Sequence, residues 1–196
     1  MTLIEVAILL IATLAMVAAL APSISATIRR AETVQALAVM GNIDNAIGDS
    51  LGDMSYTYFT WDGAKNTLAT KVQLIVGDGD TPRDVSATGS ATWQQAENDT
   101  TVDFLEHHLI LNLPGGVNVY NPPGAATEWR GAYLNGPMAP DPWGNRYMVN
   151  VQFLGPPAQD VVVYSAGPDE EIDSAYSALD FNVIPVDDDL FIITEN

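Results

Sequence analysis

Residues 1–28 read MTLIEVAILLIATLAMVAALAPSISATI, and no side chain from Val6 to Pro22 carries a charge. At about 1.5 Å of rise per residue, about 20 such residues span the roughly 30 Å hydrocarbon layer of a bilayer. The run is apolar on every face, which sets it apart from an amphipathic surface helix and predicts that it sits in lipid or against copies of itself. Beyond Arg30 the pattern changes. Ala36, Met40, Ile43, Ile47, Leu51 and Met54 recur at spacings of three and four, one helical stripe, while Asn42, Asp44, Asn45, Asp49 and Asp53 fall mostly off it. The expectation is one helix from about Thr2 to Asp53, bare in its first half and half-buried in its second. Gly41, Gly48 and Gly52 weaken it by ~1 kcal/mol each relative to alanine. Pro22 removes a backbone donor and clashes with the carbonyl four residues earlier, so a kink or local melting is expected there.

The stripe needs a cover, which the rest of the chain must supply as a sheet. YTYFTW (56–61), KVQLIV (71–76), 145–153, 160–165 and 190–194 have strand character. Thr100–Asn112 reads as a helix capped by Asp99 or Thr100 and stopped by Pro114-Gly115-Gly116. The stretch 77–99 and the proline-rich stretch 114–142 read as irregular structure. The fold class expected is α+β: a long N-terminal helix packed on a small antiparallel sheet. Its segments are an apolar helix over 1–28, an amphipathic continuation over 29–54 and an acidic head over 55–196.

Charge sharpens this division. The 196 residues hold 25 Asp+Glu against 7 Lys+Arg, a net charge of −18. Cations that would displace counterions from phosphates are sparse, which argues against nucleic acid as a partner. With no cysteine there is no disulfide, no Cys-ligated zinc and no c-type haem attachment. The apolar end contains one ionisable side chain, Glu5. A secretory signal peptide wants a basic region before its apolar stretch, yet no Lys or Arg precedes this one. A passive membrane anchor is the blander reading, and a carboxylate at that depth, where insertion costs roughly 2.5–3.5 kcal/mol, is what favours a sharper one. The nearest cation is a free α-amino group at Met1. Pairing along one helix is geometrically poor, so a neighbouring copy is the natural donor, which implies parallel, staggered packing and hence polymerisation.

Thr2-Leu3-Ile4-Glu5-Val6, the unbroken apolar helix after it and Pro22 resemble the mature N-terminus of type IV pilins and type II secretion pseudopilins. The resemblance implies that a prepilin peptidase removes a basic leader and methylates the new N-terminus, so that numbering begins at the processed end. The usual first residue is Phe, and Met1 departs from it. It also implies assembly roles for Met1, Glu5 and Pro22, and a head outside the inner membrane, although Arg29-Arg30 alone would place that end in the cytoplasm.

Asp141-Pro142-Trp143-Gly144-Asn145-Arg146-Tyr147, then Ser165-Ala166-Gly167-Pro168-Asp169, then Asp187-Asp188-Asp189-Leu190 resemble the C-terminal half of the major pseudopilin. There a loop between the last two strands binds calcium. Carried over, the resemblance implies Ca2+ held by Asp169, Asp188, Asp189 and the carbonyl of Ala166, in a loop at about 166–189. The Asp169–Asp188 segment is longer than is typical, which leaves Asp187-Asp188 as an alternative register. Physically, eight acids in the 21 residues from Asp169 to Asp189, with no Lys or Arg, repel one another unless a cation sits among them. A solvated acidic loop is the competing reading.

Other motifs carry less. Asp78-Gly79-Asp80 with Asp84 lacks the Gly and bidentate Glu of an EF-hand. His107 and His108 are about 100° apart on a helix, not at the i, i+4 spacing of a zinc pair, and read as surface or packing residues. Asn98-Asp99-Thr100 fits a glycosylation sequon. Tyr133, Trp143 and Tyr147 read as wedges between loop and sheet. No nucleophile–base set is visible, so an enzyme is not expected. The function expected is that of a structural subunit of a type IV pilus-like or type II secretion pseudopilus filament. Its partners would be itself, an inner-membrane assembly platform, minor pilins or pseudopilins and the peptidase. It would pass from the inner membrane to a periplasmic or surface filament. The rival reading is a membrane-anchored extracytoplasmic binding or adhesion module.

Overall fold

The computed structural model describes residues 2–85, 101–120, 128–155, 161–174 and 188–194. Helix α1 runs Leu3–Met54 and is continuous through Pro22, so the local melting expected there does not occur. A proline withdraws one donor from the ladder, and the bonds on either side suffice to carry the helix on. Met1–Gln35 and Ala36–Asn196 form two separate compact units. In the first, the apolar side chains are exposed all round, Leu3, Ile11, Met16 and Val17 among them. The helix is long and apolar enough to cross a membrane, and none of its apolar window is buried within the chain.

In the second unit the stripe reads out as expected. Ala36, Met40, Ile43, Ile47 and Met54 are buried, joined by Ala46 and Ser50, and Leu51 is half-buried. Ser50 meets its burial by donating its hydroxyl to the Ile47 carbonyl at 2.9 Å. The cover is a five-stranded sheet in the order β3-β1-β4-β5-β7, with β1 Leu74–Val76, β3 Val102–Phe104, β4 Met148–Asn150, β5 Val161–Ser165 and β7 Leu190–Thr194. The helix backbone lies close on β7: a Cβ on Gly41 would meet Ile192 Cδ1 at 3.9 Å.

The sheet is mixed, not wholly antiparallel as expected. Three of its pairings are antiparallel, but β1 and β3 are parallel, Leu74 opposite Val102. The long 77–101 connection allows a crossover that a tight hairpin would forbid. The helix expected over Thr100–Asn112 is correspondingly shorter, since Val102–Phe104 join the sheet as β3 and only Leu105–Leu109 form α2. Val102 and Phe104 are good strand residues, and pairing with β1 overrides the helical pattern. The expected strand at 56–61 is instead an irregular segment with one bridge, Thr60 to Lys71, and with Tyr56, Tyr58 and Phe59 buried.

Both faces of the sheet are covered. Ile75, Val149 and Val163 pack with Met40, Ile43, Ile47 and Met54 of the helix. Leu74, Val76, Met148 and Tyr164 face the other way, onto Ala166 and Ile172. The alternation is that of a pleated strand, and burial on both sides explains the near-continuous apolar runs.

The core also encloses a polar cluster that the sequence did not announce. Asp103 is buried between the two histidines: His107 Nδ1 lies 2.5 Å from Oδ1, and His108 Nε2 lies 2.9 Å from Oδ2. The amides of Phe104 and Gly115 donate to the same carboxylate, at 2.8 and 2.7 Å. His108 Nδ1 meets the Tyr120 hydroxyl at 2.5 Å, and that hydroxyl donates to the Thr60 carbonyl at 3.3 Å. The histidines are packing residues, as expected, but they converge on one acid because β3 ends where α2 begins. Burial pushes the Asp103 carboxyl upward, yet the contacts with His108, the Gly115 amide and His107 outweigh it and hold the group below its ordinary value. A depressed folded-state pKa contributes stability above about pH 4 that fades as pH falls through it. Replacing Asp103 by Asn is therefore expected to cost about 2 kcal/mol at pH 7, because the amide keeps one acceptor oxygen but turns an NH2 group toward the second imidazole. The difference from wild type should shrink below pH 4 in urea denaturation of the detergent-solubilised chain followed by tryptophan fluorescence.

Candidate functional site

The acidic loop begins where β5 ends. Ala166 is helical in backbone, Gly167–Asp169 form a 3-10 turn, and Glu170 takes a left-handed conformation (φ 64°) before β6, Glu171–Ile172. Gly167 is required twice over. Its φ is +71°, and a Cβ there would come within 2.4 Å of the Asp188 carbonyl oxygen. The first arm of the loop is thereby pressed against the second. Asp169 Oδ1 accepts the Glu171 amide at 2.9 Å and closes the turn.

Three further contacts hold the loop in place. Ile172 and Ala166 are wholly buried on the face of the sheet opposite α1. Strand β2, Arg83–Asp84, runs parallel to β6, and Arg83 Nη1 meets Glu171 Oε1 at 2.9 Å. Asp141, buried beneath the DPWGN turn, accepts the amides of Trp143 and Asn145 at 3.0 and 2.8 Å on Oδ1 and the Ser165 hydroxyl at 2.6 Å on Oδ2. Two of the motifs singled out in the sequence are thus one hydrogen-bonded unit, with Ser165 also accepting the Gly167 amide at 3.4 Å.

Among the described residues, carboxylate oxygens of Asp169, Asp173 and Asp188 lie within 4.8 Å of one another. Oxygens on opposite sides of one calcium ion, each at about 2.4 Å, stand about 4.8 Å apart, so the spacing and the hard donors suit such a cation. Asp169 and Asp188 come from the sequence reading, whereas Asp173 is there only one of the eight clustered acids between Asp169 and Asp189. Asp189 is placed differently: it is 1% exposed, and its Oδ2 accepts the Asp173 amide at 3.1 Å, the Ser174 amide at 3.0 Å and the Ser174 hydroxyl at 2.8 Å. Burial pushes its carboxyl up to about 6, against the lowering effect of the Tyr164 hydroxyl and the Ser174 and Asp173 donors. Ala166 is buried in the apolar cluster on the sheet, and Asp187 of the alternative register lies outside the described residues, as does the 98–100 sequon.

At the other end of the chain, Glu5 has a local partner that the sequence reading missed. Its Oε2 accepts the Thr2 amide at 2.7 Å, and its own amide donates to Thr2 Oγ1 at 3.4 Å. This is a reciprocal helix cap, legible as Thr-x-x-Glu at positions 2–5. Met1 lies outside the described residues, and Pro22 sits inside α1. Among the other expected packing residues, Tyr147 is buried, while Tyr133 is half-buried, donating its hydroxyl to Asp53 Oδ2 at 3.2 Å.

Two substitutions test the loop architecture by thermal melting of the full chain. Gly167→Ala should lower stability by about 1–3 kcal/mol through backbone strain. Asp141→Ala should lower it by a similar amount, about 1–3 kcal/mol, by stranding two amides and a buried hydroxyl.

Residues 117–182, about a third of the chain, match the family model described as type II secretion system (T2SS), protein G. The matched span takes in β4, β5, β6 and the acids at 169 and 173, and it ends before Asp188. No curated protein and no solved structure matches the chain. The family match over part of the head, the long apolar helix on a small mixed sheet and the N-terminal motif agree with one another, and all three point to the pilin and pseudopilin family.

Proposed function

We propose that the chain is a polymerising filament subunit, most closely of the type II secretion pseudopilus, whose N-terminal helices bundle as the core while the acidic heads form the outside. The observation that carries this reading is the exposure of apolar side chains on every face of the first part of α1, joined in one chain to a head that matches protein G. Such a surface is at home in lipid and equally in a bundle of its own kind. Moving from one to the other brings no hydrophobic gain, so van der Waals packing at small residues such as Ala12, Ala15, Ala18 and Ala19 drives association. Glu5 sets the register. In the single chain one of its oxygens caps Thr2, but a backbone amide does not neutralise a carboxylate. The amino terminus of an adjacent copy does, and the roughly 2.5–3.5 kcal/mol penalty of a lone acid in hydrocarbon is offset by that pairing.

The subunit would wait in the inner membrane after processing and N-terminal methylation by a prepilin peptidase. An assembly platform with minor pseudopilins would then draw it into a periplasmic filament. In the head, Asp169, Asp173 and Asp188 would hold a calcium ion, which supplies the positive charge that lets the three carboxylates stay close. The bound ion would fasten the loop to β7 and stiffen the head before assembly.

Glu5→Ala should leave the helix content and head melting unchanged in circular dichroism while abolishing filaments in electron micrographs; abundant filaments from this variant would overturn the reading. Chelation with EGTA should lower the melting temperature of the full chain. Calcium at a hundredfold excess over its dissociation constant adds about 2.7 kcal/mol of stability. Coincident melts with and without EGTA would remove the calcium from the account.

A further inference from the structure

The polar cluster around Asp103 borders a cavity that neither the filament nor the calcium reading uses. The space measures about 170 Å³ and lies at β3, the edge strand of the sheet, walled by Trp61, Val76, Val102, Phe104, Gly115 and the Asp103–His107 pair. Val76 and Val102 belong to the face of the sheet opposite α1. Trp61 is pressed onto the turn at Gly115, where a Cβ would meet the Trp61 carbonyl oxygen at 2.7 Å and the indole Cε2 at 2.9 Å. Phe104 and His107 meet edge to face, their ring centres 5.3 Å apart. Asp103 has no capacity left for a ligand: Oδ1 takes His107 Nδ1 and the Phe104 amide, and Oδ2 takes His108 Nε2 and the Gly115 amide. A carboxylate only accepts, so Nδ1 is the protonated nitrogen of His107 and, in the neutral ring, Nε2 carries the lone pair. Among the described residues nothing donates to that nitrogen, and the His107 side chain is 24% exposed.

We propose that this cavity binds a small monocyclic phenol, its ring held among Trp61, Phe104, Val76 and Val102 and its hydroxyl donating to His107 Nε2. Size sets the first limit. An apolar cavity of about 150 Å³ takes up benzene, so about 170 Å³ accommodates one ring with one polar atom. Chemistry sets the second. A metal ion needs three or four donors, and with Asp103 saturated the wall offers one, the imidazole nitrogen. An anion would face a lone pair with a carboxylate behind it. Water held here would need two to four polar partners, which the valines and aromatic rings do not provide. What remains is an apolar ligand that brings its own donor. The Asp103 carboxylate raises the basicity of the imidazole it holds, and a basic acceptor favours the more acidic hydroxyl of a phenol over that of an aliphatic alcohol. The site stands apart from the filament and calcium readings and does not depend on either.

The test is a titration of p-cresol into the full chain in detergent, read by nuclear magnetic resonance of the imidazole nitrogens and the Trp61 indole N–H. The chain has two histidines, so a single substitution assigns them. Toluene, which lacks only the hydroxyl, is the matched control for shape. In the wild type, p-cresol should shift the His107 Nε2 and Trp61 signals saturably, and toluene should bind about tenfold more weakly for want of one hydrogen bond. His107→Asn keeps an N–H for Asp103 in place of Nδ1 and removes the acceptor, so p-cresol should fall to the affinity of toluene. Val102→Phe fills the cavity and should abolish the saturable shift of Trp61, leaving only uptake by the micelle. Val76→Leu, a smaller intrusion from β1, should weaken binding by about fivefold or more, and it carries the same test if Val102→Phe does not fold. No saturable shift in the wild type, or shifts that persist in the filled variants, would overturn the cavity as a binding site. Equal affinities for p-cresol and toluene in the wild type, or an undiminished preference for p-cresol in His107→Asn, would overturn the bond to Nε2 and with it the choice of a phenol.

Discussion

A helix that buries one stretch of its length against its own chain and leaves the other bare has two different apolar surfaces to satisfy. The stripe from Ala36 to Met54 is answered inside the protein, by the inward residues of β1, β4 and β5. In the apolar window of the first part of the helix, from Leu3 onward, no residue is buried. Uncovered surface of this extent is stable only in lipid or in contact with like surfaces. Membrane residence and self-association are therefore two solutions to the same constraint, and a filament subunit passes between them. The head then has only to fold independently of that choice, which it does around its own core.

Buried charge in the head is managed by grouping. Asp103 lies between two histidines and two backbone amides, Asp141 beneath a turn whose amides and a serine hydroxyl it collects, and Asp189 beneath the amides it gathers from 173 and 174. Lys71 follows the same rule with the opposite sign, donating to the carbonyls of Gln152 and Leu154 and lying 4.9 Å from the Tyr58 ring centre. Burial lowers its pKa, yet the carbonyl partners suit the ammonium. Asp141 through Ser165, Asp189 and Lys71 tie together segments far apart in sequence, while Asp103 gathers its own turn and Gly115. In a head with no disulfide, such clusters do the cross-linking that loops of this length need.

The acidic loop extends the same principle to the surface. Its inner wall is apolar, with Ile172 and Ala166 seated on the back of the sheet, and its outer edge carries the three clustered carboxylates. Strand β2 straps it from the side, so part of the long region between 55 and 140 serves to brace this loop.

Much of this was legible in the chain before any coordinates. Spacing alone placed the bare and half-buried parts of α1, because a helical stripe depends only on residues three and four apart. The strands 161–165 and 190–194 followed from unbroken runs of β-branched and aromatic residues bounded by turn formers. Asp169 and Asp188 stood out by motif and by charge density. What the tertiary structure alone decided was pairing between distant segments. Whether Val102–Phe104 became strand or helix depended on β1 being beside them, and whether His107 and His108 diverged or met depended on a strand ending at Phe104. In the same way Asp173 and Asp189 are equivalent carboxylates in the sequence, and only the fold turns one toward its fellow acids and the other toward backbone amides. Local patterns report propensity and periodicity, which act over a few residues. The direction a polar side chain faces is settled by whichever distant donors the fold brings within about 3 Å of it.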